Sequence, residues 1–205
     1  MSRSSSKALA ALAAVLFALP AQAQAAKEWV YLNAIGQVFV LDADTLERVQ
    51  TLKCKGMTQG VTTDEDDTKL YVISGQRELV EVFDRKTGNP IRTYSFSKPG
   101  ETKARIYGLA LADGKMYAYL NTARFAGYEP GKQDKFGLDQ PEIVGVDLKT
   151  GKRLGRVGMP LGVLNIQPMG KPGKLLAVGR NIWEVDVRTW KSTLIEPLEV
   201  PAMEG

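Results

Sequence analysis

Hydrophobic and polar residues follow the same pattern four times along this chain. In each copy about four strand-forming residues lead to an Asp, a Thr and usually a Gly follow, and polar and apolar residues then alternate again. Asp and Thr side chains hydrogen-bond to the backbone of tight turns, and Gly adopts dihedral angles that other residues resist. We therefore predict a strand, a tight turn and a second strand in each copy. The copies span residues 38–48, 80–90, 143–153 and 182–191.

Two further strands are predicted before each of the last three copies. In each case a short β-prone run meets a polar turn, and an apolar run that begins with Lys follows it. The first runs are 60–63, 108–111 and 164–167, and the runs that begin with Lys are 69–73, 115–119 and 174–178. Before the first copy there is one short β-prone run, residues 29–32. The first unit is thus expected to lack the strand with which the others begin.

The spacing of these units predicts the fold class. Equivalent positions at Tyr31, Tyr71, Tyr117 and Leu176 lie 40, 46 and 59 residues apart, and an insertion lengthens the last interval. Four short strands in each repeat of roughly 40 to 50 residues are typical of a β-propeller blade. A β-sandwich would not repeat the same Asp turn. We predict an all-β protein, a β-propeller with about four four-stranded blades that form part of a seven-bladed ring. A genuine four-bladed ring is the alternative.

Residues 1–25 are predicted to be a secretory signal peptide, and residues 26–205 a partial β-propeller. Arg3 and Lys7 precede the apolar run 8–19, Pro20 ends it, and small residues flank two cleavage sites within residues 21–25. No other apolar run approaches the length of a membrane span, so no span is predicted. The leader predicts export, and the resemblance given below narrows this to the periplasm.

The charge balance does not favour nucleic acid as a partner. The chain has 27 basic and 23 acidic residues, and removal of Arg3 and Lys7 with the leader leaves 25 basic residues against 23. No basic run with interleaved aromatic residues accompanies this small excess. We therefore expect no nucleic-acid binding.

The chain has no histidine, and Cys54 is its one cysteine. A Ser-His-Asp or Cys-His nucleophile, a zinc site of the usual kind and an attached or His-ligated haem all need residues that are missing. We therefore assign no catalytic, cofactor-binding or metal-ligating residue to this chain. Cys54 is predicted to share a strand face with Leu52, as a small buried hydrophobe or as a link to a partner chain.

An insertion interrupts the third unit between Tyr119 and Ile143. It contains Phe125, Tyr128 and Phe136 beside Arg124, among several Gly and Pro residues. Long segments of this kind are often functional, and aromatic residues with Arg are common interface anchors. The insertion is either a plain loop or part of a docking surface for another subunit.

Other conspicuous residues are predicted to be structural. The acidic run 64–67 lacks the ligand spacing of an EF-hand and coincides with a hairpin turn. The repeated residues Asp42, Asp84, Asp147 and Asp186 occupy equivalent turns and should lie far apart. The segment 170–174 has the wrong spacing for a phosphate loop. Trp183 and Trp190 flank the last turn and are expected to pack.

Several of these runs resemble a known family. The turn 112–115, the insertion before the strand 143–147, and the run 174–186 are similar to the β subunit of quinohaemoprotein amine dehydrogenase. The resemblance covers nearly all of residues 29–201 but only the first four of that family's seven blades. Periplasmic and surface propellers with YVTN repeats share the hairpin pattern, as does the heavy chain of methylamine dehydrogenase.

This resemblance implies a non-catalytic scaffold in a periplasmic complex that oxidises primary amines to aldehydes. In that family an α subunit carries two c-type haems, and a small γ subunit carries cysteine tryptophylquinone. The implied partners are thus a dihaem cytochrome c α subunit and a quinone-bearing γ subunit, with no cofactor in this chain. The alternative is a stand-alone periplasmic or surface binding propeller without enzymatic activity. A lactonase-like hydrolase is disfavoured because the chain has no histidine.

Overall fold

The computed structural model describes residues 27–125 and 136–197. The predicted leader and the central residues of the insertion, with Tyr128, lie outside these ranges. The described part consists of fifteen strands and one 3-10 turn, η1 (Gly75–Arg77). The strands are β1 (Trp29–Asp42), β2 (Arg48–Met57), β3 (Gly60–Thr63), β4 (Lys69–Ser74), β5 (Leu79–Asp84), β6 (Pro90–Ser95), β7 (Thr102–Ala112), β8 (Lys115–Phe125), β9 (Phe136–Leu138), β10 (Glu142–Asp147), β11 (Arg153–Gly158), β12 (Val163–Pro168), β13 (Lys174–Gly179), β14 (Asn181–Asp186) and β15 (Lys191–Pro197).

These strands form four antiparallel sheets in chain order, which we call blades 1 to 4. Blade 1 contains β1 and β2, blade 2 contains β3 to β6, and blade 4 contains β12 to β15. Blade 3 orders β7, β8, β10 and β11 side by side, and β9 pairs with the far end of β8. Within the described residues no helix is long and apolar enough to cross a membrane.

Strand β1 reverses direction within its own length. An extended strand of 14 residues would separate its ends by roughly 45 Å. However, the Ala43 N–H donates to the Glu28 carbonyl at 3.2 Å, and Lys27 Nζ lies 2.7 Å from an Asp42 oxygen. The reversal lies at Gly36, whose φ is +74°. The predicted run 29–32 is therefore one arm of a hairpin, and blade 1 has three strand segments.

One register repeats in the three complete blades. The Lys that begins the second strand pairs with the Asp that ends the third, as Lys69 with Asp84, Lys115 with Asp147 and Lys174 with Asp186. Tyr71, Tyr117 and Leu176 consequently occupy equivalent positions in their blades. The period predicted from the sequence is thus confirmed at the level of single residues.

The core lies between blades rather than within them. Three clusters of buried apolar residues fill the three junctions, and each cluster contains residues from two successive blades. Junction 1–2 buries Val38, Val40, Leu52, Leu70, Val72 and Phe83. Junction 2–3 includes Tyr71, Ile73, Val80, Met116, Ala118 and Val146, and junction 3–4 includes Tyr117, Tyr119, Ile143, Leu175, Ala177 and Val185. Each blade therefore depends on its neighbours for burial.

The Asp of each hairpin caps its turn, as predicted, and the Thr hydroxyl also accepts a backbone hydrogen bond in the first three hairpins. Asp147 accepts hydrogen bonds from the N–H of Thr150 at 2.6 Å and from its hydroxyl at 2.8 Å. Asp84 and Thr87 repeat this arrangement at 2.7 and 2.8 Å. The next position has a left-handed φ in all four hairpins: Leu46 (57°), Gly88 (72°), Gly151 (75°) and Trp190 (55°).

Hydrogen bonds from Lys side chains or from the turn backbone lower the pKa of these carboxyl groups. The ion-paired hydrogen bond from Lys27 lowers the pKa of Asp42 to about 2, and the hydrogen bond from Lys174 lowers that of Asp186. Hydrogen bonds from the backbone N–H groups of the following Thr residues lower the pKa of Asp84 and Asp147. In the unfolded chain an Asp titrates near 3.9.

We expect acid to destabilise the fold through these four turns. Between about pH 5 and pH 2 the unfolded chain binds protons that the folded carboxylates do not, so the free energy of unfolding falls as the pH falls. Urea unfolding at pH 7, 5, 4 and 3 measures this slope. The Asp147→Asn variant should show a shallower slope between pH 5 and 3, because one titrating cap is removed. An unchanged slope would contradict the role assigned to this cap.

Cys54 lies half-buried beside the core of junction 1–2, on the same strand face as Leu52. Burial, with a smaller contribution from the charge of Glu81, raises the pKa of its thiol to about 12. The thiol is therefore protonated at neutral pH, which disfavours thiolate chemistry. The strand face predicted for Cys54, shared with Leu52, is confirmed, but its side chain is half-buried rather than buried.

Candidate functional site

The two edges of the blades differ in character. The edge that holds the four Asp hairpins, which we call the turn face, also holds the turns between β3 and β4, β7 and β8, and β12 and β13. The opposite edge, the linker face, holds η1 and the connections from one blade to the next.

The acidic run on the turn face is a hairpin turn, as predicted. Asp64 accepts hydrogen bonds from the N–H groups of Thr68 and Lys69, at 2.7 and 2.9 Å. Glu65 accepts a hydrogen bond from the Asp113 N–H of the next blade at 2.8 Å, and Asp67 pairs with Arg85. Across residues 27–125 and 136–197, no three His, Cys, Asp or Glu side chains gather as a metal site would require.

On the turn face, the last strand of blade 1 and the last strand of blade 2 each extend one side chain to the Asp hairpin of the following blade. Gln50 Nε2 lies 3.5 Å from the Lys86 carbonyl, and Arg92 donates to the Leu148 carbonyl at 3.1 Å. The equivalent position in blade 3 is Gly155, which has no side chain to reach blade 4. At this junction a side chain of blade 4 instead reaches back to blade 3.

Trp190 fills the third junction from the blade 4 side. Its indole lies on Gly145 and Gly155, which pair directly with each other across β10 and β11. A Cβ on either glycine would overlap the indole ring. The ring of Tyr117 also flanks the indole, at 6.4 Å between centroids. Trp183 packs against the same cluster, so the prediction that both Trp residues pack is confirmed.

The linker face has a strained turn at η1. Gly75, Gln76 and Arg77 all have positive φ, at 57°, 56° and 73°. A left-handed conformation costs a residue with a Cβ about 1–2 kcal/mol, so two successive examples require support from their surroundings. Part of that support comes from Arg105, which donates a hydrogen bond to the Gln76 carbonyl at 3.4 Å.

This turn holds Arg77 against an aromatic pair. The Arg77 guanidinium lies 4.8 Å from the centroid of Tyr107, which is 43% exposed, and Tyr107 lies 6.2 Å from Tyr119. Tyr119 donates to the Pro160 carbonyl at 3.4 Å, and burial raises the pKa of its phenol. Contacts therefore run from blade 2 across blade 3 to the connection before blade 4. We call Arg77, Arg105, Tyr107 and Tyr119 the Arg–Tyr cluster.

The insertion extends the third blade at this same face. The prediction that the strand ends at Tyr119 is wrong, because β8 continues to Phe125 and pairs with both β7 and β9. Arg124 Nε binds both oxygens of Asp139, at 2.8 and 3.0 Å. The extension is regular because β7 also begins early, at Thr102, and supplies a ladder for β8.

Exposed apolar side chains also lie on the linker face. Leu161 is 74% exposed and directly follows Pro160, and Ile35 and Met57 pair with each other at the linker end of blade 1. Arg, Tyr and exposed apolar residues are the types that anchor protein interfaces. Sequence reasoning identified Arg124 but missed the Arg–Tyr cluster. Only Gly75 signalled the turn that creates it.

Comparison with solved structures identifies the fold. The Pan2 WD40 domain of Neurospora crassa matches with a TM-score of 0.54 at 13% identity, over 78% of this chain and 46% of that chain. The structure of U3-55K matches with a TM-score of 0.60 at 6% identity, over 82% and 48%. Hydrazine synthase of Kuenenia stuttgartiensis matches with a TM-score of 0.56 at 13% identity, over 78% and 44%.

This chain is a β-propeller. Its four-stranded antiparallel blades follow one another as in the matched propellers, so the predicted fold class is confirmed. The chain spans about half the length of the structures that it matches. No protein-family model and no curated protein matches the chain.

Proposed function

We propose that this propeller is the scaffold subunit of a periplasmic complex that oxidises primary amines to aldehydes. In this proposal a dihaem cytochrome c subunit and a small subunit with cysteine tryptophylquinone hold the redox groups. The chain has no histidine and one cysteine, which agrees with a complex in which the other subunits hold the redox groups and this chain positions them. The resemblance of residues 112–115, 143–147 and 174–186 to the β subunit of quinohaemoprotein amine dehydrogenase supports the proposal.

The observation that carries the docking role is the composition of the linker face. The Arg–Tyr cluster and the β8–β9 extension lie on the same edge, where Tyr107 and Leu161 are exposed. A stacked Arg next to exposed aromatic and aliphatic groups can bury a large area on binding with little loss of side-chain freedom, because the stacked groups are already ordered. We assign the linker face as the surface that binds the other subunits.

Capture of a tagged chain from the native periplasm tests this function. We expect a haem protein and a small quinone-bearing chain to be retained, together with primary-amine oxidation measured by reduction of a dye. Capture of the folded propeller without haem and without amine oxidation would overturn the proposal and favour a stand-alone binding propeller.

A matched pair of substitutions tests the assigned face. Arg124 on the linker face and Arg188 on the turn face both have side chains that are 68% exposed, and each pairs with an Asp. We expect Arg124→Ala to lower the retained haem, and its combination with Arg77→Ala to lower it by about tenfold or more, because two interface anchors are lost. Arg188→Ala should leave it unchanged. Equal losses from both faces would overturn the assignment of the linker face.

A further inference from the structure

Blade 1 and blade 4 each have one sheet face that no other blade of the described chain covers. Each blade has a leading face, which points toward the preceding blade, and a trailing face, which points toward the next blade. In each junction the trailing face of one blade packs on the leading face of the next. The repeated register shows which residue positions form these faces. On the leading faces of blades 2 to 4 those positions are fully buried. They are Leu70, Val72 and Phe83 in blade 2, Met116, Ala118 and Val146 in blade 3, and Leu175, Ala177 and Val185 in blade 4.

The leading face of blade 1 has apolar residues at the same positions, but no blade of the described chain covers it. The positions are occupied by Val30, Leu32 and Leu41, and Leu32 is 48% exposed. The hairpin of blade 1 adds Leu46, which is 62% exposed and has a left-handed φ of 57°. Leu46 is equivalent to Trp190, whose side chain packs onto the preceding blade.

The trailing face of blade 4 is the complement of this surface. The positions that bury Tyr71, Ile73 and Val80 in blade 2 are occupied in blade 4 by Leu176, Val178 and Ile182. All three of these blade 4 residues are partly exposed within the described chain. The molecule therefore has both halves of one blade-to-blade contact, at opposite ends of its array.

The two faces also have opposite charges at one matching height. Arg48 and Lys53 are exposed on the leading face, where they pair in register with Leu41 and Gln37. Glu196 is exposed on the trailing face, where it pairs with Ile182. Counted from the hairpin Asp, Lys53 and Glu196 lie at nearly the same height, so a head-to-tail contact would bring opposite charges together.

We propose that a second copy of this chain covers both faces, so that two chains form one closed ring. The trailing face of each copy would pack on the leading face of the other. The chain matches 46 to 48% of two propeller structures, so two copies supply about the arc of one ring. Eight blades lie within the range of about four to eight known for propellers. A head-to-tail contact that closes after two copies forms a dimer, whereas one that does not close forms fibres. The inference does not rest on the proposed function.

Sedimentation equilibrium of the mature chain at micromolar concentration tests the dimer. We expect twice the mass of one chain for the wild type, and one chain for Leu32→Asp and for Leu176→Asp, since each places a carboxylate in the contact. Ile91→Asp is the matched control, because Ile91 is 51% exposed on an outer strand away from both faces. Circular dichroism checks that each variant is folded.

Mixing the two face variants tests the head-to-tail arrangement. Leu32→Asp retains an intact trailing face and Leu176→Asp an intact leading face, so an equimolar mixture can form one unaltered contact. We expect this mixture to form dimers although neither variant does so alone. A monomeric wild type, an open series of larger oligomers, or a dimer that survives both substitutions would overturn the proposal.

Discussion

Gly155→Arg should destabilise the propeller by about 3 kcal/mol or more, and this cost should be about 1–3 kcal/mol smaller in a chain that also carries Trp190→Gly. The Trp190 indole occupies the space into which any side chain at position 155 would project. Overpacking of this kind typically costs about 1–3 kcal/mol, and here the obstacle is a rigid ring against backbone. Free energies of unfolding in urea, measured for the wild type and the variant, give the cost.

The double substitution recreates the junction between blades 2 and 3. There the outer strand supplies Arg92 and the facing hairpin supplies Gly151, and the guanidinium binds the Leu148 carbonyl. Trp190→Gly alone loses a half-buried indole, worth about 2–3 kcal/mol, and relieves about 1 kcal/mol of left-handed strain. We therefore expect a favourable coupling of about 1–3 kcal/mol between the two substitutions.

Gly158→Arg provides the control for this cycle. Gly158 lies in the same strand β11, and the three atoms nearest to a Cβ there belong to the flexible side chain of Gln140, the closest at 3.5 Å. We expect this substitution to change the free energy of unfolding by less than about 1 kcal/mol. Additive effects of Gly155→Arg and Trp190→Gly would contradict the contact between the Trp190 indole and Gly155.

Phe83→Ala should destabilise the junction between blades 1 and 2 by about 3–5 kcal/mol. The Phe83 ring is fully buried among Val38, Val40 and Leu52 from blade 1. Removal of the ring leaves a cavity between the two sheets. Because each blade packs only on its neighbours, we expect blade 1 to open before the rest of the molecule.

Hydrogen exchange resolves this local opening. In Phe83→Ala the amides of blade 1, such as those of Val38 and Val40, should exchange faster by a factor of 100 or more, whereas those of Leu175 and Ala177 in blade 4 should change little. Ile91→Ala, at an exposed position of blade 2, should leave both groups unchanged. Uniform acceleration across all four blades would instead indicate that the junctions unfold as one unit.

The repeated pattern of the sequence determined the architecture because the information is local. Alternating apolar positions, a capping Asp and Thr, and a left-handed position after them specify a hairpin within about ten residues. The same hairpin occurs four times, which gives the number of blades, and its spacing indicates a propeller repeat. The repeat places a Lys at the start of the second strand and an Asp at the end of the third, whereas their pairing, as of Lys115 with Asp147, is seen in the structure.

The sequence failed where a contact joins residues from different units. The glycines at 145 and 155 are ordinary strand residues until Trp190 is placed on them from the next blade. The β8–β9 extension was missed because its ladder depends on the early start of β7 at Thr102, which carries no turn signal.

Tertiary structure decided most of the candidate docking surface, whereas the sequence pointed to the insertion and Arg124. Arg77 and Tyr107 lie 30 residues apart and on different blades, and a strained turn brings them to 4.8 Å. Two successive residues with a Cβ in left-handed conformations cannot be predicted from local preference, since local preference opposes them. The sequence thus specifies the blades, while the packing between blades decides which side chains meet on the linker face.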